Sequence, residues 1–367
     1  MENTIPFVDL KAQYSNIGSE VKDAVNRVLD KGQFILGDEV KAFETEFATY
    51  CETPYCVALA NGTAALHLAL LVSGIGPGDE VLTTPLTFIA TAEAISQVGA
   101  TPVFVDVNPL TGSLDPNKLE ARITQRTKAI IPVHLYGNPT DMSPILEIAK
   151  TYNLKVIEDA AQAHGARYME KRVGTLGTIG SFSFYPSKNL GAYGDAGALV
   201  TNNPDSAEQI RSLRDHGRLD KYNHNQPGYN YRMDSLQGAV LRVKLRYLEV
   251  WTQKRRQVAD WYADRLTHLE LARVRSTPNA YSVYHLFVIR VGNRDRVSKA
   301  MSEQGIQVGI HYPIPIHLLE AYRHLGYAAG DFPAAESLCR DVLSLPMYPE
   351  LTLPQVEKVV DALSRCI

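Results

Sequence analysis

The chain has 367 residues, of which 45% are hydrophobic and 21% are charged, and these proportions exclude a disordered protein. Its formal net charge of −3 lacks the basic excess of a dedicated nucleic-acid-binding protein. No signal peptide is recognisable, and no apolar run approaches the roughly 20 residues that span a membrane. The four cysteines lack metal-ligand spacing. Together these features predict a cytoplasmic protein with free thiols and no membrane or nucleic-acid partner.

Helical and strand-like patterns alternate through the first two thirds of the chain. Apolar residues recur at helical spacing from Ile17 to Val28 and from Val40 to Phe47. Short apolar runs typical of buried strands follow at residues 55–60, 80–84, 102–107, 128–135 and 155–160. Helical patterns separate most of these runs, which predicts a mainly parallel sheet with helices on both faces.

The pattern changes towards the C-terminus. Two more strand-like runs, at 181–186 and 197–201, precede helical segments at 206–215 and 233–266. Beyond these, strand candidates at 284–291 and 307–310 stand among helical segments. We therefore predict an α/β protein with a large domain at residues 1–249 and a smaller α+β domain at residues 250–367.

A small, flexible turn at Asn61, Gly62 and Thr63 leads directly into an apolar helix. The N-terminus of a helix presents unpaired N–H groups and the positive end of the helix dipole, which suit a phosphate group. The alternative is an ordinary helix cap with glycine easing the turn. Neither GxxxxGK[ST] nor a strand-linked GxGxxG is present, so a bound phosphate would not belong to a P-loop or a standard dinucleotide site.

The run 155–160 ends in Glu158 and Asp159, and Gln162 follows. Ligands of open α/β sheets bind at the carboxyl ends of the strands, so Asp159 is placed to meet a buried cation such as a protonated ring nitrogen. A helix cap or a surface acid is the alternative. His164 is predicted to be structural, because nothing pairs it with a nucleophile or a metal.

Lys188 lies in a turn between two strand-like runs, among aromatic and small residues. Desolvation lowers the pKa of a lysine and makes its amine a competent Schiff-base nucleophile, although a solvated loop lysine is the simpler alternative. Asp159 precedes Lys188 by 29 positions, and Ser183 could hold a phosphate oxygen. A phosphate site, an acid for a pyridinium nitrogen and a buried amine are what pyridoxal phosphate requires.

The order of these motifs resembles the DegT/DnrJ/EryC1/StrS family of pyridoxal-phosphate-dependent nucleotide-sugar aminotransferases. That family has the aspartate aminotransferase fold (fold type I), with a large mainly parallel-sheet domain and a smaller C-terminal domain. The resemblance covers nearly the whole chain. The similar segments are IPFVDLKAQY, GPGDEVLTTPLTFIATAEAI, VHLYGNPTDM, EDAAQAHGA, FSFYPSKNLGAYGDAGALVT, NYRMDSLQGAVLRVKL and HYPIPIHL.

The resemblance implies roles for four residues around the cofactor ring. Lys188 would form the Schiff base with pyridoxal 5′-phosphate, and Asp159 would pair with the ring nitrogen. Gln162 would reach the ring hydroxyl, and Phe88 would stack on the ring. Dehydrating members of the family have histidine in place of the lysine, so Lys188 argues against that branch.

The resemblance also implies a phosphate site, formed by Gly62, Thr63 and Ser183. Asn230 would reach the same phosphate from the neighbouring subunit of a homodimer, so that the active sites are shared. The chain departs from the family pattern at Asn61, where serine is usual, and at residues 194–197, which read GDAG rather than GEGG or GDGG. Both differences leave the lysine and the acid intact.

Four further residues look like the sugar-side residues of one branch of the family: Tyr185, Lys221, His311 and Tyr312. That branch aminates carbon 3 of TDP-linked 3-keto-6-deoxyhexoses in amino-deoxysugar biosynthesis, with L-glutamate as donor in a ping-pong cycle between pyridoxal and pyridoxamine phosphate. A metal site at His311 and His317 is not expected, because no acid or cysteine accompanies them. The alternatives are a carbon 4 aminotransferase acting on a 4-keto sugar and a non-catalytic relative that binds cofactor as a sensor.

Overall fold

The computed structural model describes residues 4–269 and 271–367. The helices are α1 (Leu10–Lys31), α2 (Asp38–Tyr50), α3 (Gly62–Val72), α4 (Ala90–Gln97), α5 (Met142–Thr151), α6 (Pro204–Leu213), α7 (Ser235–Leu245), α8 (Leu248–Arg265), α9 (Arg294–Glu303), α10 (Pro333–Asp341) and α11 (Leu353–Ser364). The strands are β1 (Tyr55–Leu59), β2 (Glu80–Thr83), β3 (Thr101–Phe104), β4 (Thr127–Ile130), β5 (Lys155–Asp159), β6 (Arg167–Tyr168), β7 (Lys171–Arg172), β8 (Ile179–Ser183), β9 (Gly197–Thr201), β10 (Ala280–Tyr281), β11 (Phe287–Arg290) and β12 (Val342–Leu345).

A seven-stranded sheet forms the centre of the molecule, with the strand order β1-β9-β8-β5-β4-β2-β3. The β2–β3, β2–β4, β4–β5 and β5–β8 pairs are parallel. Strand β9 runs antiparallel to both of its neighbours, β1 and β8. The prediction of an α/β fold with a mainly parallel sheet is therefore confirmed.

Helices cover both faces of this sheet, because each contributes apolar side chains to one of two buried clusters. Helices α2 and α5 pack into the first cluster through residues such as Phe43, Phe47 and Ile145. Helices α3, α4 and α6 pack into the second through residues such as Leu68 and Ile95. Every residue of α3 from 64 to 70 is buried, as expected for a helix that is apolar on all sides.

The C-terminal part of the chain has its own apolar cluster, to which α8, α9, α11 and the antiparallel β11–β12 pair contribute. The predicted strand at 307–310 is wrong. Ile306 bridges Ile5 whereas Gly309 bridges Ser344, so neighbouring residues pair with different segments and no continuous ladder forms. The predicted helical segment 233–266 is divided into α7 and α8. A domain division between residues 249 and 250 would fall within α8 and stays a prediction.

The two parts of the chain are joined by a carboxylate at a helix N-terminus. Asp106, which follows β3, accepts hydrogen bonds from the backbone N–H groups of Ala334 (3.2 Å) and Ala335 (3.0 Å) in α10. The N-cap residue of α10 itself is Phe332, whose side chain has no hydrogen-bond acceptor. Lys118 completes the contact with an ion pair to Asp106 at 3.0 Å. The negative charge of Asp106 thus stabilises the first turn of α10.

Membrane-spanning helices, metal sites and cysteines can be checked against the structure. No helix in the described residues is long and apolar enough to cross a membrane. Those residues also contain no group of three or more His, Cys, Asp or Glu side chains that could hold a metal ion. All four cysteines are buried and unpaired, which confirms the expectation of free thiols.

Candidate active site

The candidate residues lie at one edge of the central sheet. Asp159 ends β5 and Ser183 ends β8, while Gly62 begins the helix that follows β1. Strands β1, β5 and β8 run in the same direction, so their carboxyl ends meet at this edge. Lys188 is in the turn after β8. The sheet therefore brings the residues of three separate motifs together at the edge where open α/β sheets bind ligands.

Asp159 is 5% exposed, and its carboxylate accepts two hydrogen bonds from the same chain. The Thr91 hydroxyl donates to one carboxylate oxygen at 2.8 Å, and the Ala161 backbone N–H donates to the other at 3.2 Å. Burial raises the pKa of Asp159, while these hydrogen bonds and the charge of Lys188 act in the opposite direction. Asp159 forms no salt bridge within the described part of the chain, so its charge remains available for a cationic ligand.

Lys188 faces this acid from the turn after β8. Burial lowers the pKa of its amine to about 8, and the negative charge of Asp159 limits the decrease. Three histidines lie near Lys188, at positions 164, 285 and 311. Burial lowers the pKa of each, and the charge of Lys188 lowers it further. Burial therefore favours the uncharged, nucleophilic form of the Lys188 amine.

The proposed phosphate site is narrow because backbone atoms of three segments approach closely. A Cβ atom at Gly62 would lie 2.7 Å from the Cβ of Ser183, and one at Gly197 would lie 2.4 Å from the Asn61 carbonyl oxygen. The first intrahelical hydrogen bond of α3 runs from Ala65 to Asn61, and the Asn61 side chain accepts from Ala64 at 2.8 Å. The N–H groups of Gly62 and Thr63 lie before these bonds, and Gly62 is next to Ser183. Asn61 thus serves as the helix cap despite its departure from the family pattern.

The segment at 311–312 also approaches the site, near enough for the charge of Asp159 to act on Tyr312. Gln162 donates to the Tyr312 hydroxyl at 3.3 Å and accepts from the backbone N–H of Tyr136 at 2.7 Å. The Phe88 ring, which is 54% exposed, lies 5.8 Å from the Tyr312 ring. His311 has a pKa lowered to about 4 by burial, and its Nδ1 bonds the Ser344 hydroxyl at 2.9 Å. The structure thus brings Phe88, Gln162, His311 and Tyr312 together.

Lys221 and Asn230 lie elsewhere, on the exposed segment between α6 and α7. Asn230 pairs with Asp215 through a backbone bridge, and Lys221 lies nine residues earlier in the segment, with its amine 5.2 Å from the Tyr222 ring. In the described residues neither side chain contacts Lys188 or Asp159. Tyr185, by contrast, is 56% exposed beside the Lys188 turn. The roles of all these side chains stay predictions.

Sequence reasoning missed two groups next to the site. One is Thr91, the hydroxyl donor to Asp159, which lies three residues after Phe88 in the segment TFIAT. The other is the fully buried pair of Glu158 and His134, whose side chains are 3.0 Å apart. Glu158 also accepts from three backbone N–H groups in the segment 174–177, so it anchors that loop while its neighbour Asp159 faces the site.

The arrangement fits pyridoxal 5′-phosphate. An acid without an ion-pair partner suits a protonated pyridine nitrogen, and a desolvated amine suits the carbonyl group. The close approach of Gly62 to Ser183 leaves helix N–H groups and a hydroxyl for the phosphate. His164 remains a structural residue in this arrangement: it is fully buried against Phe182 and Phe184.

Comparison with known proteins agrees with this arrangement. The dTDP-3-amino-3,4,6-trideoxy-alpha-D-glucose transaminase of Streptomyces venezuelae is 46% identical over 98% of this chain and 95% of its own length. The dTDP-3-amino-3,6-dideoxy-alpha-D-galactopyranose transaminase of Aneurinibacillus thermoaerophilus is 47% identical over 98% and 99%. The crystal structure of S. venezuelae DesV superposes with a TM-score of 0.97, at 45% identity, over 99% of this chain and 98% of that one.

These similarities extend over the whole fold rather than one motif, so they confirm fold type I, the sugar aminotransferase class and the cofactor expected from the sequence. Residues 15–364 match the DegT/DnrJ/EryC1/StrS aminotransferase family. The chain therefore belongs to this family.

Proposed function

We propose that this protein transfers the amino group of L-glutamate to carbon 3 of a TDP-linked 3-keto-6-deoxyhexose, in the biosynthesis of an amino-deoxysugar. The main support is the buried pair of Asp159 and Lys188, two groups of opposite charge without salt bridges of their own. The names of the two relatives, both transaminases of dTDP-3-amino sugars, support the carbon and the nucleotide.

The chemistry depends on proton transfer by Lys188 and on the proton that Asp159 holds at the cofactor ring. When bound, pyridoxal 5′-phosphate supplies a carbonyl that condenses with amines and a ring that delocalises negative charge. The Lys188 amine, with a pKa of about 8, is unprotonated far more often at neutral pH than an ordinary lysine. Its Nζ could therefore move a proton between the α-carbon of glutamate and the bound cofactor in one half-reaction, and between the cofactor and carbon 3 of the sugar in the other.

Asp159 has the complementary task of holding a proton on the ring nitrogen. A carboxylate that accepts hydrogen bonds from Thr91 and Ala161 is oriented before the cofactor arrives. The negative charge of Asp159 also stabilises the protonated ring nitrogen, because charges interact strongly in a buried site. The Thr91 hydroxyl contributes indirectly, because its hydrogen bond orients the Asp159 carboxylate.

The sugar side of the site offers neutral hydrogen-bonding groups. Burial keeps His311 uncharged, and its Nδ1 is engaged with Ser344, so Nε2 remains for a sugar oxygen. Burial also raises the pKa of Tyr312, whose hydroxyl therefore stays protonated. Exposed Tyr185 lies in the same turn as Lys188, whose backbone N–H donates to its carbonyl. We propose that these three residues contact the keto sugar.

The proposal includes a cytoplasmic homodimer with shared active sites. Asn230 and Lys221 do not reach the cofactor site of their own chain, and the segment that carries them also exposes Leu219 (65%) and Tyr222 (78%). Contiguous exposed apolar patches mark interaction surfaces, and these two side chains lie three positions apart on one segment. We therefore propose that the segment contacts the second subunit, where Asn230 meets the phosphate and Lys221 meets the nucleotide sugar.

One experiment tests the function against its alternatives. Purified protein is supplied with L-glutamate and, in parallel, with TDP-3-keto- and TDP-4-keto-6-deoxyhexoses, and the products are identified by NMR. We expect amination of the 3-keto sugar. Amination of only the 4-keto sugar would move the reaction to carbon 4. A protein that binds cofactor but does not consume glutamate in a single half-reaction would be the non-catalytic alternative.

A further inference from the structure

One buried lysine has no part in the chemistry described above. Lys244, in α7, is 0% exposed and forms no salt bridge within the described residues. Burying an ammonium group without a paired carboxylate costs free energy, which an apolar side chain of similar length would avoid. The Lys244 amine instead donates a hydrogen bond to the Gly191 carbonyl and lies 4.9 Å from the centroid of the Tyr193 ring.

Gly191 belongs to the turn that presents the Lys188 amine. A Cβ atom at Gly191 would lie 2.3 Å from the carbonyl oxygen of Pro186, so the two ends of the turn are in contact. The Lys188 backbone N–H donates to the Tyr185 carbonyl at 2.8 Å within the same turn. A displacement of the Gly191 carbonyl would therefore also move the backbone of Lys188.

Helix α7 holds this turn at a second point. The Gln237 side chain accepts a hydrogen bond from the backbone N–H of Tyr193 at 2.9 Å. Gln237 and Lys244 are seven residues apart, which places them on the same face of the helix, two turns from each other. The Tyr193 segment is thus fixed between the two side chains.

We infer that Lys244 is a positioning residue, which fixes the Gly191 carbonyl and thereby the turn from which Lys188 reaches the cofactor. The inference depends on the proposed role of Lys188. Burial lowers the pKa of Lys244 to about 7, and Glu350 acts in the opposite direction. The hydrogen bond survives this titration, because a neutral amine still has N–H groups to donate.

The test is Lys244→Met, which keeps the length of the side chain and removes the donor. Hydrogen exchange of amides 185–193 is measured by mass spectrometry on the full-length protein with and without cofactor. We expect exchange there to increase about tenfold, because the turn loses one of its two contacts with α7. The apparent pKa of Lys188, measured by the pH dependence of its acetylation without cofactor, should rise as water enters.

Two further measurements separate positioning from a general loss of stability. The unfolding temperature of the variant should stay the same or increase, because the cost of burying an amine is removed. The kcat should fall about tenfold with little change in the KM for glutamate, since a displaced Lys188 slows proton transfer. Arg242→Met is the matched control: it lies in the same helix but pairs with Glu39 and Glu46, so exchange at 185–193 should not change.

A folded Lys244→Met variant with unchanged exchange at 185–193 and an unchanged Lys188 pKa would overturn the inference. If that variant does not fold, Lys244→Gln replaces it with the same expectations, because the shorter amide does not reach Gly191. If neither variant folds, Lys244 is a requirement of the core and the positioning role is overturned. Hydrogen exchange at 185–193 does not depend on catalysis and therefore tests Lys244 alone. A wrong assignment of Lys188 would be detected by a different experiment, in which borohydride labels another lysine.

Discussion

The predicted site residues fall into two regions, the Lys188–Asp159 pocket and the segment between α6 and α7. The two regions differ in whether their residues contact one another within one chain. In the pocket, every predicted cofactor residue lies against another part of the same chain, and burial changes the pKa of both central groups. In the segment, Lys221 and Asn230 are exposed and contact neither central group. The pocket is assembled within one chain, whereas the roles proposed for Lys221 and Asn230 require a second subunit.

The comparison shows how one chain divides its tasks. Proton transfer needs groups whose pKa is altered by desolvation, and desolvation requires a core that the chain builds alone. Recognition of a charged sugar nucleotide needs cations that remain in water until the ligand arrives. Substitutions in the pocket should therefore affect both halves of the reaction, and substitutions in the exposed segment should affect one half or depend on subunit exchange.

The largest effect is expected from Lys188→Ala. Turnover should fall by at least about four orders of magnitude, because both the nucleophile and the proton-transfer group are lost. Borohydride reduction followed by peptide mass spectrometry should label Lys188 in the wild type and no residue in the variant. Labelling of a different lysine in the wild type would show that the pocket is wrongly assigned.

Asp159→Asn should reduce kcat by about 100- to 1000-fold in both half-reactions, because a neutral amide does not hold a proton on the ring nitrogen. Cofactor affinity should change less, since the phosphate contacts remain. Thr91→Val is the graded control, and it should cost about tenfold through the loss of one hydrogen bond to Asp159. Near-normal turnover of Asp159→Asn would mean that another acid faces the ring.

Mixing two inactive variants tests whether the exposed segment acts across the subunit interface. Lys188→Ala and Asn230→Asp are mixed and allowed to exchange subunits, after which about half of the dimers should be mixed. If Asn230 serves the partner's cofactor, one site of each mixed dimer is intact, and about a quarter of wild-type activity should return. Activity equal to the average of the two parents would place Asn230 in its own chain's site.

The smallest and most selective effect is expected from Lys221→Ala. The sugar half-reaction should weaken about tenfold, mainly in the KM, because one charge-assisted contact with the diphosphate is lost. The glutamate half-reaction should stay unchanged. Lys171→Ala, at an exposed lysine of β7, is the matched control and should affect neither. Equal losses in both halves for Lys221→Ala would indicate a folding or dimerisation defect.

The sequence predicted the residues that mark the ends of regular elements. Asp159 could be recognised because it ends an apolar strand, and Gly62 because it begins an apolar helix. Thr91 and Lys244 could not be recognised in the same way. Their partners, Asp159 and Gly191, are 68 and 53 residues away, and local patterns contain no information on such contacts. The strand expected at 307–310 failed for the same reason, since its residues pair with two distant segments.

The contact of Asp106 with α10 has a consequence for how the chain folds. The carboxylate that completes the first turn of this helix lies 228 residues earlier in the sequence. A contact of such length is slow to form, because a long loop must close before the helix gains its cap. The C-terminal part, synthesised as a separate fragment, would leave α10 without that acceptor. The first turn of α10 is therefore complete only when Asp106, just after β3, has reached it.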